Sequence, residues 1–238
     1  MMTIMRVDQL LSRYGYCSRR EARIWCNNDR VTLNGEAQKF SDKVDVHDVR
    51  VDGEAIEHPD GLFVLLHKPV GYVCSHDNGE GERIYDLLPP QWLQREPRLN
   101  SVGRLDKDTS GLLILTDQSE LVHRLTSPKH HVNKRYIATV DHALQREIID
   151  AFASGIVLRS EPKPCLPASL QILDETTAAV EIAEGKYHQV RRMFAACGYQ
   201  VQTLHRTQVG PWYLGDLTEG EFLVLPVPAA EVWQQRTA

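Results

Sequence analysis

The sequence lacks the features that mark several large classes of protein. Its 238 residues contain only five cysteines, scattered and never in a C-x-x-C pair, so they support neither a disulfide framework nor a zinc site. No apolar run approaches the roughly 20 residues that a membrane helix needs. The first residues contain no apolar segment of signal-peptide length, and no phosphate-binding glycine loop, internal repeat or low-complexity segment follows. We therefore expect a globular protein of the reducing cytoplasm, with no membrane contact.

Positive charge is in the minority but is concentrated in three segments. The formal net charge is −5, which by itself disfavours a nucleic-acid partner. Residues 13–30 nevertheless carry five arginines against two carboxylates, and residues 121–136 and 185–197 are basic without any carboxylate. Because phosphate binding depends on the local field, a net-acidic protein can hold RNA on such segments. Each segment taken alone is better explained as a solvated surface face.

The segment before about residue 55 has the pattern of two short helices followed by hairpin strands. Apolar residues at positions 7, 10, 11 and 14 have helical spacing, and Ser18-Arg19-Arg20-Glu21 has the form of a capping box at the start of a second helix. Val31 to Leu33 is a strand pattern that runs into the hairpin turn Asn34-Gly35. The pattern predicts a compact module with the arginines of its second helix turned outward.

This module resembles the S4 RNA-binding domain of ribosomal protein S4 and of many RNA-modifying enzymes. The resemblance rests on Arg6-Val7-Asp8, on Ser18-Arg19-Arg20 with Ala22, and on Arg30-Val31 with Leu33-Asn34-Gly35. The alternative is that these arginines only keep a small helix pair soluble. The resemblance implies RNA contacts for one set of residues: Arg6, Arg13, Ser18, Arg19, Arg20, Arg23 and Arg30.

The polar stretch 57–61, which contains a proline and a glycine, is the expected domain boundary. It divides the chain into an S4-like domain at residues 1–59 and a larger domain at residues 60–238. In the larger domain strands are interrupted by only two or three helices, which predicts an α+β fold and not a doubly wound parallel sheet. The strand patterns lie at 62–67, 111–116, 137–140 and 178–182, and the helix patterns at 144–152 and 190–197.

Two polar clusters in the larger domain are candidates for chemistry. The charged loop 103–111 leads into a buried strand, and a carboxylate there, such as Asp106, suits either catalysis or the capping of a turn. The cluster 184–194 opens the last helix. At about 100° per residue, Arg191 falls at the edge of the buried face, while His188 and Arg192 point away from the core. Arg191 is then either a group that reaches inward to a carboxylate or an ordinary edge residue.

Four motifs in order resemble the RNA pseudouridine synthases of the RluA/RsuA superfamily. They are Leu66-His67-Lys68-Pro69 with Gly71-Tyr72, Gly103-Arg104-Leu105-Asp106 with Asp108-Thr109 and Gly111, Lys134 with Tyr136, and Gly185 with His188-Gln189-Val190-Arg191-Arg192-Met193. Together with the first domain they cover nearly the whole chain and most resemble the RsuA branch. The resemblance implies a catalytic domain of pseudouridine synthase type, built on a mixed and mainly antiparallel sheet.

The resemblance also implies a reaction and its residues. Pseudouridine synthases break the N1–C1′ bond of a uridine and rejoin the uracil through C5, an isomerisation that requires no ATP, redox cofactor or metal. Asp106 matches the catalytic nucleophile, Arg191 the arginine that pairs with it, and Tyr136 the tyrosine that packs against the target base. Tyr136 is alternatively a strand tyrosine in the core. RNA contacts are implied for a second set of residues: Arg104, Lys129, His130, Lys134, His188, Gln189, Arg192 and Arg206, with His205 as a weaker match.

Ribosomal RNA is the expected partner, bound by a monomer. The pair His130-His131 ahead of Lys134 resembles the synthases of the small subunit, which implies modification of 16S rRNA at uridine 516. Ser18-Arg19-Arg20-Glu21-Ala22 is equally close to the large-subunit members, so a 23S target stays open. Two further alternatives are a non-catalytic ribosome assembly factor and a glycosidase that releases uracil. A glycosidase normally needs two carboxylates, and we expect Asp108 to have a structural role in the turn.

Overall fold

The computed structural model describes residues 3–229, apart from the side chain of Pro128. Its N-terminal unit consists of two short helices and two small sheets. The helices are α1 (Val7–Arg13) and α2 (Ala22–Asn27). The strands are β1 (Ile4–Arg6), β2 (Val31–Leu33), β3 (Glu36–Ala37), β4 (Lys43–Asp45), β5 (Val49–Val51) and β6 (Glu54–Ala55).

Local sequence accounts for most of this unit. Helix α1 buries the apolar residues that share its inner face, and Asn34 and Gly35 take positive φ angles of 51° and 84° to form the turn between β2 and β3. The Ser18–Glu21 pair forms as a capping box does, with the Ser18 amide and hydroxyl both donating to Glu21 Oε2 at 2.9 and 2.7 Å. The Ser18–Glu21 pair closes a turn ahead of the helix, since α2 begins at Ala22, the residue after Glu21.

Strands β3-β2-β5-β6 form one antiparallel sheet and β1 pairs with β4, so that the two sheets and the helices enclose a core of their own. The core residues are Val7, Leu10, Leu11, Tyr14, Ala22, Cys26, Val31, Val44, Val46, Val49, Val51 and Ile56.

The larger unit is built on one nine-stranded sheet. Its strands are β7 (Phe63–Lys68), β8 (Asn100–Ser101), β9 (Thr109–Thr116), β10 (Lys134–Val140), β11 (Ser169–Ile172), β12 (Thr177–Ile182), β13 (Val201–Val209), β14 (Trp212–Tyr213) and β15 (Phe222–Val224). Its helices are α3 (Ser119–Thr126), α4 (Glu147–Ser154) and α5 (Gln189–Ala196).

The strand order is β11-β12-β10-β13-β9-β7-β15, with β8 added to β9 and β14 to β13. Within the described residues every pairing in this sheet is antiparallel except β9 with β13, which are parallel. Helices α4 and α5 cover one face, where Phe152 packs against Phe194, and α3 covers the other. This arrangement confirms the predicted α+β class. In the described part of the chain no helix is long and apolar enough to cross a membrane.

A buried arginine joins the two units. Arg95 forms an ion pair with Asp117 at 3.1 Å and donates to the carbonyl oxygens of Glu57 and His58 at 3.1 and 3.0 Å. Its guanidinium also lies 4.9 Å from the ring centre of Tyr14, whose hydroxyl donates to the carbonyl of Pro59 at 2.6 Å. The polar stretch 57–61 is therefore held on both sides by hydrogen bonds.

Candidate active site

Asp106 lies in a turn that is fixed to its neighbours by backbone hydrogen bonds. The turn joins β8 to β9, and the Thr109 amide donates to the Asp106 carbonyl at 3.1 Å. The Gly71 amide donates to the Lys107 carbonyl at 2.8 Å, and the Cys74 sulfur lies 3.5 Å from both the amide and the carbonyl of Leu105. Each residue flanking Asp106 is thus tied to the segment that follows β7.

Lys68 supports the same turn from inside the protein. The side chain is fully buried, and its Nζ donates to the carbonyls of Thr109 and Pro69 at 2.7 and 2.9 Å. Burial lowers the pKa of Lys68, opposed by the nearby acidic groups. Sequence reasoning recognised Lys68 only as part of a motif. The signal for its burial is a lysine at the end of a continuous apolar strand pattern, just before a proline.

The side chain that faces Asp106 is the imidazole of His188. Its Nε2 lies 3.1 Å from Asp106 Oδ1, and its ring stacks on Tyr187 with ring centres 3.9 Å apart. His188 precedes α5 with φ 46° and ψ 36°, a left-handed conformation. The expectation that His188 points away from the core was based on a helical projection, which does not apply to a residue outside the helix. The positive φ turns the imidazole toward the Asp106 carboxylate instead.

Arg191 does not pair with Asp106, which corrects the expectation. Its Nη2 lies 2.9 Å from Asp108 Oδ2 and also donates to the Asp108 carbonyl, while its Nη1 donates to the Val201 carbonyl at 3.1 Å. Of the two alternatives for an arginine at the edge of a buried face, the guanidinium takes the one that pairs it with a carboxylate, but this carboxylate is the largely exposed one of Asp108. The hydrogen bonds to the Asp108 and Val201 carbonyls hold the guanidinium at that position.

A cavity of about 740 Å³ opens beside Asp106, within the size range of small-molecule sites. Strands β10 and β13 supply its floor, where Tyr136 and Arg206 are paired across the two strands. Tyr136 is only 7% exposed and belongs to the hydrophobic core cluster, yet it also lines the cavity. The alternative of a core tyrosine describes its burial, whereas its contact with a target base stays a prediction; Tyr136 and Asp106 line the same cavity.

Lys134 adds a second cation to this floor. Its Nζ donates to the Val132 carbonyl at 2.8 Å. Burial, reinforced by the Arg206 guanidinium and opposed by Glu184, lowers the pKa of Lys134 to about 8. The amine at this position therefore titrates close to neutral pH.

Three residues expected to contact RNA lie in other environments. Gln189 is buried, where its amide donates to Glu184 and accepts from the Lys186 backbone. Arg192 is held by the Glu161 carboxylate and the Arg159 carbonyl, and Arg206 is 3% exposed. Burial takes Gln189 and Arg206 away from an RNA backbone, whereas Arg192 is half-buried and its guanidinium donors are occupied by internal acceptors. By contrast, Arg104, Lys129 and His130 are exposed.

The arginines of the N-terminal unit differ in their freedom to bind phosphate. Arg6 and Arg19 share the Asp8 carboxylate, while Arg30 pairs with Asp52 and lies over the Trp25 ring at 3.4 Å. Among the other expected groups, Arg20 is exposed, Arg13 is half-buried and Arg23 lies over the Phe40 ring. The Ser18 hydroxyl is occupied by its hydrogen bond to Glu21. No group of three or more metal-ligating side chains occurs within residues 3–229.

The family model described as RNA pseudouridylate synthase matches residues 62–196, and the model described as S4 domain matches residues 5–50. The chain belongs to the RNA pseudouridylate synthases, enzymes that isomerise uridine in RNA to pseudouridine. The match confirms the predicted family, the enzyme class and the order of the two domain types. The boundary between residues 59 and 60 stays a prediction.

Relatives over nearly the whole chain are named for one ribosomal subunit. The chain is 40% identical over 222 residues to ribosomal small subunit pseudouridine synthase A of Pasteurella multocida, covering 92% of this chain and 94% of the relative. The protein of that name from Escherichia coli (strain K12) is 37% identical over 224 residues, covering 92% and 95%. A crystal structure of a pseudouridylate synthase is 38% identical, with a TM-score of 0.65 over 93% of this chain and 96% of that one.

Proposed function

We propose that this enzyme converts one uridine of small-subunit ribosomal RNA to pseudouridine, with Asp106 as the nucleophile. The observation that carries the assignment of Asp106 is its position in a braced turn at a cavity whose floor contains Tyr136. A carboxylate suits the chemistry because it can form and release a bond to a sugar carbon. The relatives named for the small subunit favour a 16S target over a 23S one, and uridine 516 is the specific position that we propose.

The target uridine must leave the base stack to reach this cavity. Flipping a base out of RNA costs a few kcal/mol, and stacking on an aromatic side chain returns about 1–3 kcal/mol per base. The Tyr136 ring supplies that stacking surface in the proposal. Arg104, Lys129 and His130, together with the exposed arginines of the S4 domain, hold the RNA backbone and offset the remaining cost. The enzyme then acts as a monomer in the cytoplasm.

In the free enzyme the His188 imidazole contacts the Asp106 carboxylate. An incoming ribose must displace this contact before the Asp106 oxygen reaches C1′. The His188 ring is half-exposed and stacks on the exposed Tyr187, so in the proposal it moves outward into solvent when the ribose enters.

Asp106→Asn tests the assignment of the nucleophile. We expect pseudouridine formation to be lost, because the amide is not nucleophilic, while the affinity for 16S rRNA fragments stays within a few fold of wild type. Asp216→Asn, at an exposed position, is the matched control and should retain both properties. Near-wild-type turnover by Asp106→Asn would remove Asp106 from its role.

The target is tested by mapping modified uridines in 16S and 23S rRNA from a strain that lacks this protein. We expect one pseudouridine to disappear, at position 516 of 16S rRNA. Loss of a pseudouridine from 23S rRNA, with the pseudouridines of 16S rRNA unchanged, would exclude small-subunit RNA as the substrate.

A further inference from the structure

Arg206 is a buried cation with very few partners. Its Nε donates to the Leu112 carbonyl at 2.8 Å, and its guanidinium carbon lies 6.0 Å from the centre of the Tyr136 ring. Nη2 is buried without a hydrogen-bond partner, and the guanidinium forms no ion pair with any residue from 3 to 229. A guanidinium carries five N–H donors, so most of its hydrogen-bonding capacity is unused. Burying a charge in this way is unfavourable unless an opposite charge or strong acceptor is supplied.

Two lysines add positive charge to the surroundings of Arg206. Lys134 lies on the same cavity floor, close enough that the Arg206 charge contributes to the lowered pKa of its amine. Lys68 also feels the Arg206 charge, and it is hydrogen-bonded only to carbonyl oxygens. The acidic groups that act on Lys68, Asp106 and Asp108, face His188 and Arg191. Glu184, which acts on Lys134, already accepts hydrogen bonds from the Gln189 side chain and the Leu166 amide. The floor of the cavity is therefore prepared for an electron-rich ligand.

We propose that Arg206, assisted by Lys134, binds the carbonyl oxygens of the flipped uracil and stabilises the negative charge that the base carries after the N1–C1′ bond breaks. This inference rests on the proposed function and adds a catalytic residue to it. It also differs from the expectation that Arg206 holds the RNA backbone. A phosphodiester remains at the surface with its hydration, whereas Arg206 is 3% exposed on the floor beside Tyr136.

The charge balance of the reaction explains why cations are needed there. When an Asp106 oxygen bonds to C1′, the electron pair of the N1–C1′ bond passes to the uracil and is shared between N1 and the carbonyl oxygens. The carboxylate becomes a neutral ester at the same moment, so one negative charge moves from Asp106 to the base inside the cavity. After the base turns, C5 bonds to C1′ and the ester bond breaks. C5 then loses its proton and N1 gains one, so the product is an isomer.

Fixed donors aimed at a developing anion are among the strongest contributions to catalysis, and removing one costs about 10²–10³-fold in rate. We therefore expect Arg206→Gln to slow single-turnover pseudouridine formation about 100-fold at saturating enzyme. The dissociation constant for the RNA should change less than about threefold, and its salt dependence should not change. Arg206→Lys keeps the positive charge but not the planar guanidinium, so its single-turnover rate should lie between those of wild type and Arg206→Gln. Arg146→Gln, which removes an exposed guanidinium at the start of α4, is the control and should match wild type.

A phosphate contact would give a different result. Loss of an RNA backbone contact weakens binding and reduces the slope of log K against log salt by about 1, with the rate at saturation unchanged. That pattern, or a wild-type single-turnover rate for Arg206→Gln, would overturn the proposal while leaving the proposed function intact. Failure of the wild-type enzyme to form pseudouridine would instead refute the proposed function.

A second measurement avoids the risk that Arg206→Gln fails to fold. In the full-length Asp106→Asn variant the nucleophile is neutral, as it is in the ester. Barbiturate, an anionic analogue of uracil, should bind this variant at least tenfold more tightly than neutral uracil does. Equal binding of the two bases, measured by calorimetry, would contradict a cationic site for the departing base.

Discussion

At the scale of single residues, the two aspartates of the turn have different partners. Asp106 faces the half-exposed imidazole of His188, whereas Asp108 is paired with Arg191, a guanidinium that also donates to two backbone carbonyls. The first pair is suited to separate when substrate enters, and the second to hold α5 against the turn. Asp108 thus has the kind of structural partner that a turn residue requires.

A double-mutant cycle distinguishes these pairs. We expect Arg191→Gln and Asp108→Asn to be coupled by about 0.5–1 kcal/mol in the free energy of unfolding, the usual range for a partly exposed ion pair. Arg191→Gln and Asp106→Asn should be additive within about 0.3 kcal/mol. Urea denaturation of the single and double variants provides the four free energies. Coupling of Arg191 to Asp106 instead would restore the pairing expected from the resemblance.

The sequence predicts which candidate residues come together at the cavity, but not which side chains they contact there. The order of the motifs brings Asp106, Tyr136 and the start of α5 to one cavity, as expected. Which basic side chain faces which carboxylate depends on the positive φ of His188, and a helical projection contains no information about that angle. The burial of Lys68 and Arg206 was also missed, because both are polar residues whose location is decided by neighbouring strands.

At the scale of secondary-structure elements, the sequence predicts the strands that are apolar throughout but not the strand in which apolar and polar residues are interspersed. Strands β7 and β9 are buried along their whole length and appear as continuous apolar runs. Strand β13 is central in the sheet but was not predicted, since only every second or third of its residues is buried and its polar groups face the cavity and the His67 ring. Helix α3 lies in a basic segment, and Leu121 and Leu125, four residues apart, were the signal that sequence reasoning did not use.

The parallel contact between β9 and β13 depends on a glycine. Gly111 has a φ of 110°, and a Cβ there would overlap the backbone of Arg206 on the neighbouring strand. We expect Gly111→Ala to destabilise the protein by about 3 kcal/mol or more and to lower the melting temperature by roughly 6 °C or more. Gly79→Ala, where a Cβ meets only ordinary contacts and φ is not positive, should leave the melting temperature unchanged. Calorimetry on both variants tests the contact, and equal melting temperatures would contradict it.

At the scale of the whole molecule, the two units have separate cores but share a polar junction. The cluster around Val7 and the clusters on the large sheet have no residue in common. The carbonyls that accept from Arg95 belong to Glu57 and His58, on the N-terminal side of the predicted boundary. Composition points to the polar stretch as the predicted boundary, but the residue that binds it lies nearly 40 positions away in the sequence.

Two truncated chains test this junction. A chain that starts at residue 57 keeps the acceptors of Arg95, whereas one that starts at residue 62 leaves its guanidinium with Asp117 alone. We expect both to fold and to lose RNA affinity to the same extent, since both lack the S4 domain. The shorter chain should be less stable by about 3 kcal/mol, the cost of two lost hydrogen bonds to a buried charge. Equal stability in urea would show that the junction contributes nothing, and an unfolded chain starting at residue 57 would contradict the division into two domains.

The junction around Arg95 also has a consequence for how substrate is selected. Tyr14, Arg95 and the backbone of residues 57–59 connect the S4 domain to the large sheet through hydrogen bonds. In the proposed function, we expect this connection to set the distance between the RNA helix held by the S4 domain and the nucleotide that enters the cavity. Selection among the many uridines of a ribosome would then depend on geometry as much as on base identity. We expect an RNA with one extra base pair in that interval to place the wrong nucleotide at Asp106, even with every recognised base still in place.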